Sequence, residues 1–425
     1  MIVAMLWHYW RARHRHFKSR AELEAYQQKQ LTAFKHKVLR KSPYFRAFIE
    51  SPLEQFPIMN KQIMMDHFDQ MNTAGLSSQV LFHCAQQSEQ SRDFAPKVGK
   101  YSVGLSSGTS GRRGLFVVSP QEQHIWSGSM LAKMLPNGLF KGERVALFLR
   151  ANNNLYESVN NRWISLRFYD LYADFCQQLQ ALERYQPSII VAPAQVLCAI
   201  AQAVEEQRIQ LNVNQVISVA EVLQPHDKQR LQQCFPHVAE VYQATEGFLG
   251  CTCPHGTMHL NEAFLHIEPH WLDERRFSPI ITDFTRKTQP IVRYQLDDIL
   301  VVRDTPCPCG DPQLAIEQIE GRCDDQLLLP DHDGNLVTLF ADPVARIIVN
   351  QLPITADFRL LQKGNHLTLQ SECSAHQLTQ CQRHLVAYFA KQHIDTDKLS
   401  WTLTADPVLP SFAVKRRRIT REGAE

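Results

Sequence analysis

The distribution of apolar residues from position 145 onward constrains the fold of this chain more than any other feature. Short apolar runs alternate there with longer amphipathic stretches, and the runs are Val145–Leu149, Ser188–Ala192, Gln215–Ala220 and Val238–Tyr242. Near-continuous apolar runs separated by helical segments are typical of parallel strands that are covered on both faces. The pattern therefore predicts an α/β architecture with a parallel-strand core.

The flanking regions predict other structure. Residues 20–40 show helical spacing, and the segment to about residue 100 is expected to be mostly helical, with Pro52 and Pro57 interrupting it. Further along, strands are predicted at Phe264–Glu268, Pro279–Phe284, Ile291–Tyr294, Ile299–Val302, Phe358–Leu361 and His366–Gln370, and a helix around 375–392.

The length of 425 residues exceeds what one compact core normally accommodates. We expect a large N-terminal domain over residues 1–321, which combines the parallel α/β core with a β-rich section. A small, mobile C-terminal α+β domain is expected over residues 322–425, joined near Gly321–Asp325.

Composition excludes several functional classes. The net charge of +2 gives no global attraction to nucleic acid, and 44% hydrophobic residues is ordinary for a globular protein. No apolar run approaches the roughly 20 residues needed to span a bilayer. The opening MIVAMLWHYW is apolar, but its charges follow it, which is the wrong order for a secretory signal. We expect a cytoplasmic protein without nucleic-acid partner or stable membrane insertion, and a membrane-surface role for this segment stays an alternative.

A glycine-rich loop supplies the first functional signal. Four of the seventeen glycines lie in Gly104-Leu-Ser-Ser-Gly108-Thr-Ser-Gly111-Arg-Arg-Gly114. Glycine permits positive φ and close approach of backbone N–H groups to a ligand, and hydroxyls and guanidinium groups donate to anionic oxygens. The loop predicts a phosphate cradle, although such loops are also ordinary turns. Its spacing fits neither a Walker loop nor a G-x-G-x-x-G fingerprint.

Polar residues follow two of the predicted strands. Glu221 follows the strand that ends at Ala220, and Tyr242-Gln-Ala-Thr245-Glu246 follows the strand from Val238. Ligands of open α/β sheets bind beyond the carboxyl ends of strands. A hydroxyl and a carboxylate there suit Mg²⁺, and the Tyr242 ring suits a flat base. Each residue taken singly is also compatible with an ordinary polar loop.

Five motifs occur in a recognisable order. Ser106–Gly114 resembles an SSGTTG loop, Tyr242–Glu246 a Y-x-x-T-E segment and Arg293–Asp298 an R-Y-R-T-x-D motif. Gly321–Asp325 matches a G-R-x-D-D hinge, and Pro410–Arg418 resembles a terminal P-x-x-x-G-K-x-x-R. With these motifs the chain resembles the adenylate-forming superfamily, the acyl-CoA ligases and their relatives, and within it the phenylacetate–CoA ligase-like branch, which includes coenzyme-F-type adenylyltransferases. The resemblance spans the whole chain and implies ATP and Mg²⁺ as cofactors.

The resemblance also implies roles for individual residues. Lys415 would meet the α-phosphate and the attacking carboxylate, Glu246 with Thr245 would hold Mg²⁺, and Asp298 would accept both ribose hydroxyls. The residues expected to bind the nucleotide are Ser106, Ser107, Gly108, Thr109, Ser110, Gly111, Arg112, Glu221, Tyr242, Asp298 and Arg322. Two departures from the family pattern are Arg113-Gly114 in the loop and Val414 in place of the glycine before the terminal lysine.

The implied reaction has two steps. A carboxylic acid, which the branch favours as aromatic, attacks MgATP to give an acyl-adenylate. After the small domain rotates about Gly321–Asp325, a thiol of coenzyme A or a carrier protein displaces AMP. Candidate pocket walls are Trp126, Leu149–Tyr156 and the turn near Ala220. Transfer of AMP to a hydroxyl and a catalytically silent scaffold are the alternatives, and a homodimer is one oligomeric state left open.

Four of the eleven cysteines occur as two Cys-x-Cys pairs, while most of the others lie singly among apolar residues. Cys253, His259, Cys307 and Cys309 offer the thiolate and imidazole ligands that a structural zinc ion prefers. A CPCG-like turn at this place is also a feature of the branch that the chain resembles. Reduced surface cysteines are the alternative, and Cys251 or His255 is near enough to replace one ligand.

Overall fold

The computed structural model describes residues 2–91, 96–105, 114–135, 137–139, 141–149, 164–322, 326–353, 356–408 and 417–422. Several predicted features lie outside these residues. They are the glycine-rich loop from Ser106 to Arg113, Val414 and Lys415, most of the pocket segment Leu149–Tyr156, the end of the hinge and the side chain of Arg322.

The helices of the described residues include the predicted helical region before residue 100, the stretches between the parallel strands and the predicted helix at 375–392, whereas the helices at Pro120–Met134 and Ala341–Val349 were not predicted. The helices are α1 (Ile2–Arg13), α2 (Arg20–Lys37), α3 (Lys61–Asp66), α4 (Phe68–Met71), α5 (Ser78–Ser91), α6 (Pro120–Met134), α7 (Phe175–Tyr185), α8 (Ala194–Glu205), α9 (Pro225–Cys234), α10 (Ala341–Val349) and α11 (Ala375–Lys391). None of them is long and apolar enough to cross a membrane.

A small antiparallel sheet holds the two ends of the glycine-rich loop. Its strands are β1 (Lys97–Val98), β2 (Tyr101–Leu105) and β3 (Leu115–Val118), with Leu105 opposite Leu115. No strand was predicted between residues 97 and 118. The hairpin is stabilised by apolar contacts of Val103, Leu115 and Val117 with α4 and α5, which are distant in sequence.

One large sheet forms the centre of the molecule. Its strands are β4 (Glu143–Leu149), β5 (Ile164–Asp170), β6 (Ile189–Ala192), β7 (Gln215–Ser218), β8 (His237–Ala244), β9 (Gly247–Thr252), β10 (Met258–Leu260), β11 (Leu265–Trp271), β12 (Arg276–Asp283), β13 (Ile291–Gln295), β14 (Asp298–Val302) and β15 (Ala315–Arg322). Their spatial order is β11-β12-β14-β15-β10-β9-β8-β7-β6-β4-β5, and β13 pairs with β12.

The predicted parallel core is confirmed. Strands β5, β4, β6, β7 and β8 pair in parallel, and successive residues alternate between two apolar layers. Ile190 and Val216 face the layer formed with α7 and α8, whereas Ile189 and Ile217 face the layer formed with α1 and α6. The β-rich section is also confirmed, and it continues the same sheet because β8 is parallel to β7 and antiparallel to β9.

The C-terminal α+β domain has its own core. Strands β18 (Phe358–Lys363), β19 (His366–Ser371), β20 (Ser400–Thr404) and β21 (Ile419–Arg421) follow a hairpin of β16 (Gln326–Pro330) and β17 (Leu336–Phe340). The apolar cluster that these strands form with α10 and α11 contains buried residues from Leu327 to Ile419 only. The boundary at residues 321 and 322 stays a prediction.

Helix α1 lies unusually close to α6. A Cβ atom built on Gly128 of α6 would lie 2.6 Å from the backbone nitrogen of Tyr9 and 2.7 Å from the carbonyl oxygen of Met5. The two helix backbones therefore meet where Gly128 has no side chain. Arg13 completes the contact, because its Nη1 donates to the carbonyls of Ala132 (3.2 Å) and Leu135 (2.9 Å) at the end of α6.

This contact predicts the effect of Gly128→Ala. Helix propensity alone would stabilise the variant by about 0.8–1 kcal/mol, but the added methyl group must displace α1, at a cost of roughly 1–3 kcal/mol. We expect net destabilisation and loss of protection of the α1 amides, measured by urea unfolding and amide hydrogen exchange. A variant more stable than the wild type would contradict the backbone contact.

Candidate active site

A cavity of about 1410 Å³ lies at the carboxyl ends of the parallel strands and between α6 and the sheet. Residues of the C-terminal domain, Ala345 and Arg417 among them, form part of its wall. Among the residues predicted to bind the nucleotide or magnesium, those lining the cavity are Glu221, Tyr242, Thr245, Glu246 and Asp298. The structure thus brings together residues that are up to 77 positions apart (298 − 221).

Tyr242 and Asp298 are directly bonded. The Tyr242 hydroxyl, near the end of β8, donates to Oδ2 of Asp298 at 2.5 Å. Asp298 begins β14, and its backbone lies opposite that of Arg322 in β15. The pair presents an aromatic ring beside a carboxylate, and the carboxylate can accept further hydrogen bonds from hydroxyl groups.

Thr245 and Glu246 form the turn between β8 and β9. Burial in the cavity wall raises the pKa of Glu246, despite a hydrogen bond with Tyr294 and the nearby Lys61 ammonium, and the Asp298 carboxylate raises it further. A carboxylate in this position is stabilised by a cation, because two negative groups share one poorly solvated site. The donor chemistry fits Mg²⁺, a hard cation that prefers oxygen ligands.

The turn after β7 is held in an unusual conformation. Ala220 has φ +65°, a left-handed value that is uncommon for a residue with a side chain. Glu221 next to it accepts hydrogen bonds from Gln195 at the start of α8, at 2.8 Å from Nε2 and 3.3 Å from the backbone nitrogen. The Glu221 carboxylate is therefore fixed at the cavity wall by a neighbouring helix.

A buried polar network connects the β2–β3 hairpin to the Thr245 turn. Arg286 donates to the carbonyls of Thr245 and Val117, each at 3.3 Å, and to Oε1 of Gln289 at 3.2 Å. Gln289 in turn accepts from the Val117 backbone nitrogen (2.9 Å) and donates to the Leu115 carbonyl (3.0 Å). The strand that leaves the glycine-rich loop is thereby tied to the residues proposed to hold magnesium.

Glu122 extends this network into α6. It accepts hydrogen bonds from Ser119 at the start of the helix and from Thr288. Although burial favours the neutral acid, Arg286 and these hydrogen bonds lower the pKa of Glu122. Sequence reasoning missed Glu122, Arg286 and Gln289, because bonds between residues more than 160 positions apart leave no local pattern.

The inner part of the cavity is apolar. Met130 and Met134 of α6 face Val145, Leu147, Ile189, Val191 and Ile217 of the parallel strands across it. The proposed pocket residues Trp126, Leu149 and Ala220 also line the cavity. This region suits an apolar group, and the polar residues described above lie at the strand ends.

The predicted zinc ligands are brought together. The ligand atoms of Cys253, His259, Cys307 and Cys309 all lie within 4.8 Å of one another. The Sγ atoms of Cys253 and Cys307 are 3.6 Å apart, and Sγ of Cys309 is 3.3 Å from Nε2 of His259. Nδ1 of His259 lies 3.1 Å from the Gln313 carbonyl, which orients Nε2 toward the thiols as in zinc sites.

The two alternative ligands lie elsewhere. Cys251 is buried in the apolar layer between the sheet and α6, and burial raises the pKa of its thiol to about 11. His255 is exposed in the turn between β9 and β10. Among the described residues, the set Cys253, His259, Cys307 and Cys309 is therefore the one whose donor atoms converge.

An ion-pair group joins the C-terminal domain to α9. Arg418, the last residue of the predicted terminal motif, donates from Nη1 to Oδ2 of Asp227 at 2.9 Å and from Nε to Oδ1 of Asp357 at 2.7 Å. Arg418 and Asp227 are both buried. Because a buried charge is costly without its partner, this contact favours the observed arrangement of the C-terminal domain against α9.

Comparison with known proteins identifies the fold. No family model matches the chain, and no curated protein matches it in sequence. Among solved structures, 2-hydroxyisobutyryl-CoA ligase in the postadenylation state, with 2-HIB-AMP, is similar over 96% of this chain and 91% of that chain, with TM-score 0.69 and 14% identity. The same ligase in the thioesterification state gives TM-score 0.53 at 15% identity, with coverage of 95% and 90%.

Two other enzymes are similar to this chain. The GH3.15 acyl acid amido synthetase gives TM-score 0.58 at 11% identity, over 91% of this chain and 86% of its own. Anthranilate CoA ligase AuaEII, in complex with anthranoyl-AMP, gives 0.52 at 12% identity, over 74% and 65%. The chain has the fold of the adenylate-forming enzymes, with their C-terminal domain, as the sequence motifs predicted.

Asp283, which lines the cavity, should make the folding stability of the protein depend on pH. Burial raises the pKa of Asp283 to about 6 from its ordinary 3.8, although Thr285 donates to it twice. The native state then binds the proton more strongly than the unfolded chain, so the free energy of unfolding falls as the pH rises from about 4 to about 6.

We expect Asp283→Asn to remove this fall, because asparagine keeps an acceptor oxygen for Thr285 and does not ionise. A difference of one pKa unit corresponds to about 1.4 kcal/mol in the free energy of unfolding. Between pH 4 and pH 7, the free energy of unfolding of the variant should therefore rise by roughly 2–3 kcal/mol relative to that of the wild type. Urea titrations across this range measure the effect, and the exposed Asp333→Asn is the matched control. Equal pH slopes for wild type and Asp283→Asn would contradict the burial argument.

Proposed function

We propose that this protein is an ATP-dependent ligase that converts a carboxylic acid to an acyl-adenylate and then transfers the acyl group to a thiol. One observation carries the proposal. In the fold of the adenylate-forming enzymes, Tyr242, Glu246 and Asp298 converge in one cavity, at the strand ends where such sheets bind ligands. Leu105 and Phe116 of the β2–β3 hairpin, which flank the glycine-rich loop in the chain, line the same cavity.

In the proposed ground state the nucleotide occupies the polar end of the cavity. Asp298 accepts the ribose hydroxyls and Tyr242 contacts the base, while the loop from Ser106 to Arg112 donates to the β- and γ-phosphates. Glu246, assisted by Thr245, would hold Mg²⁺, and the ion would neutralise phosphate charge. Glu221 and Arg322 complete the proposed nucleotide contacts.

The proposed chemical step is attack of the acid's carboxylate on the α-phosphorus. An acyl–phosphate bond forms, and the bond to the leaving pyrophosphate breaks. Lys415 is proposed to place its ammonium between the carboxylate and the α-phosphate, since a fixed positive charge stabilises the crowded anionic transition state. The approach of Lys415 to the nucleotide depends on the position of the C-terminal domain. Arg418, three residues after Lys415, joins this domain to α9 through its ion pair with Asp227.

An aromatic or otherwise bulky apolar acid suits the inner cavity. Trp126, Met130 and Met134 face the apolar parallel strands, and none of these three side chains carries a charge. AuaEII, which has the same fold, is an anthranilate CoA ligase with an aromatic substrate. The identity of the acid is best determined with a panel of aromatic, hydroxyaromatic and aliphatic carboxylic acids.

A rotation of the C-terminal domain is proposed to admit the thiol. The TM-score of this chain is 0.69 to the ligase in the postadenylation state and 0.53 to the same ligase in the thioesterification state. This difference supports a domain arrangement in this protein that precedes thioester formation. Rotation about Gly321–Asp325 would break the Arg418–Asp227 ion pair. Coenzyme A is the first acceptor to test, and a carrier protein is the second.

The first test is adenylation itself. With the acid panel and ATP, we expect acid-dependent exchange of pyrophosphate into ATP, and thioester formation when coenzyme A is added. Lys415→Ala should lower exchange by about 10²–10³-fold through loss of transition-state charge stabilisation, whereas the exposed Lys391→Ala in α11 should leave it unchanged.

Two outcomes would overturn parts of this proposal. Exchange unaffected by Lys415→Ala would remove that lysine from the mechanism. A wild-type protein that neither binds ATP in calorimetry nor exchanges pyrophosphate with any acid would favour the silent scaffold. Exchange that continues while AMP accumulates on a hydroxyl compound would favour the adenylyltransferase alternative.

We also propose that Cys253, His259, Cys307 and Cys309 bind a structural zinc ion. The donor set and the orientation of His259 support it. The ion would tie the turn after β9 to the segment before β15, apart from the polar end of the cavity.

The protein purified without chelator should carry a single zinc ion per chain, measured by elemental analysis. Cys307→Ser should lose most of the metal and lower the urea midpoint, since binding free energy contributes to folding. The exposed Cys176→Ser is the matched control. Full zinc content in Cys307→Ser would show that the zinc ion binds elsewhere.

A further inference from the structure

The outer face of α1 is apolar and aromatic although it is in contact with solvent. Val3 is 80% exposed, Trp7 56% and Trp10 53%. The opposite face, formed by Met5, Tyr9 and Ala12, is buried against α6. Exposed tryptophans are costly unless they meet a partner, and a group of them on one helix face marks an interaction surface.

This face is rigid. The rings of Trp7 and Trp10 stack with centroids 5.6 Å apart and an angle of 19°, and the Trp10 ring lies 5.0 Å from that of His14. Gly128 allows the backbone of α1 to contact α6, and Arg13 fixes the end of the helix. The tryptophans are therefore held outward on a fixed support.

Cations are concentrated in the first twenty residues. The first acidic residue of the chain is Glu22, whereas the first twenty residues contain Arg11, Arg13, Arg15, Lys18 and Arg20 as well as three histidines. Of the five cations, Arg11, Lys18 and Arg20 are exposed, and Arg20 is paired with Glu24 and Glu262. Burial lowers the pKa of His8, and the nearby positive charges of Arg11, Lys287 and Arg15 lower it further. Because the whole chain has a net charge of only +2, the positive potential is local.

An exposed helix face with tryptophans and neighbouring cations matches one kind of interaction surface. Tryptophan is favoured where an apolar region meets a polar one, and arginine next to it pairs with anionic headgroups. Trp7 and Trp10 do not line the cavity described above, so a small molecule bound there would not meet them.

We propose that the outer face of α1, formed by Val3, Trp7, Trp10 and Arg11, binds the surface of a bilayer that contains anionic phospholipid. The apolar side chains insert at the headgroup boundary, and Arg11 with Lys18 contacts the headgroups. The helix lies along the surface, with its other face still on α6.

Vesicle co-sedimentation tests this inference with the full chain. We expect binding to vesicles of phosphatidylcholine mixed with phosphatidylglycerol, a blue shift of tryptophan emission, and little binding to phosphatidylcholine alone. Arg11→Glu should weaken binding at least about fivefold, since each cation near such a surface contributes about 1 kcal/mol. The double variant Trp7→Ser/Trp10→Ser should weaken it about tenfold or more, because two aromatic anchors are lost.

The controls are Trp271→Ser, which removes a tryptophan of equal exposure (52%) from β11, and Lys391→Glu, which reverses an exposed charge in α11. Both should bind as the wild type does. Wild-type protein that stays in the supernatant with both vesicle types would overturn the proposal, and so would equal loss in the Trp271→Ser control. If sedimentation velocity instead shows a dimer that only the double tryptophan variant abolishes, the face is an interface between two copies.

Discussion

Strand β8 is the element on which the arrangement of the whole N-terminal region depends. It is parallel to β7 along one edge and antiparallel to β9 along the other, so it joins the α/β core to the β-rich section in one sheet. Its carboxyl end carries Tyr242 and leads directly into Thr245 and Glu246. Residues 237–240 of β8 pair with β7, and residues 241–244 pair with β9. Tyr242 and the turn after it therefore cannot shift without breaking the backbone hydrogen bonds between β8 and β9.

The second constraint is electrostatic and lies beneath the site. Glu122 and Arg286 are buried, and each makes several hydrogen bonds, so the network is costly to break at either residue. It connects β3 and α6, which follow each other in the chain, to the Thr245 turn, which is more than 100 residues further along. Strand β3, which follows the proposed phosphate loop in the chain, is thereby held relative to the Thr245 turn after β8.

Much of this was accessible from sequence, and the reasons differ between elements. Strands β6 and β7 were predicted because both faces are buried, which leaves a continuous apolar run. Tyr242, Glu246 and Asp298 were predicted from motif order, and their convergence follows from strand-end geometry. The β2–β3 hairpin was missed because its short strands depend on contacts with α4 and α5. Arg286 and Asp227 were missed because their partners are distant in the chain, and Lys415 lies outside the residues that the structure describes.

The layer order suggests how acid binding and the α1 surface are related. The inner cavity is bounded by the sheet on one side and by Met130 and Met134 of α6 on the other, and α1 lies against the far side of α6 through Gly128. A bulky acid bound as proposed would lie against α6, and α6 cannot move outward without displacing α1, because their backbones are in contact. Trp7 and Trp10 are thus one helix layer away from the proposed acyl group. If both proposals hold, a membrane surface that immobilises α1 restrains the α6 wall of the cavity, and acid affinity measured with and without vesicles tests that coupling.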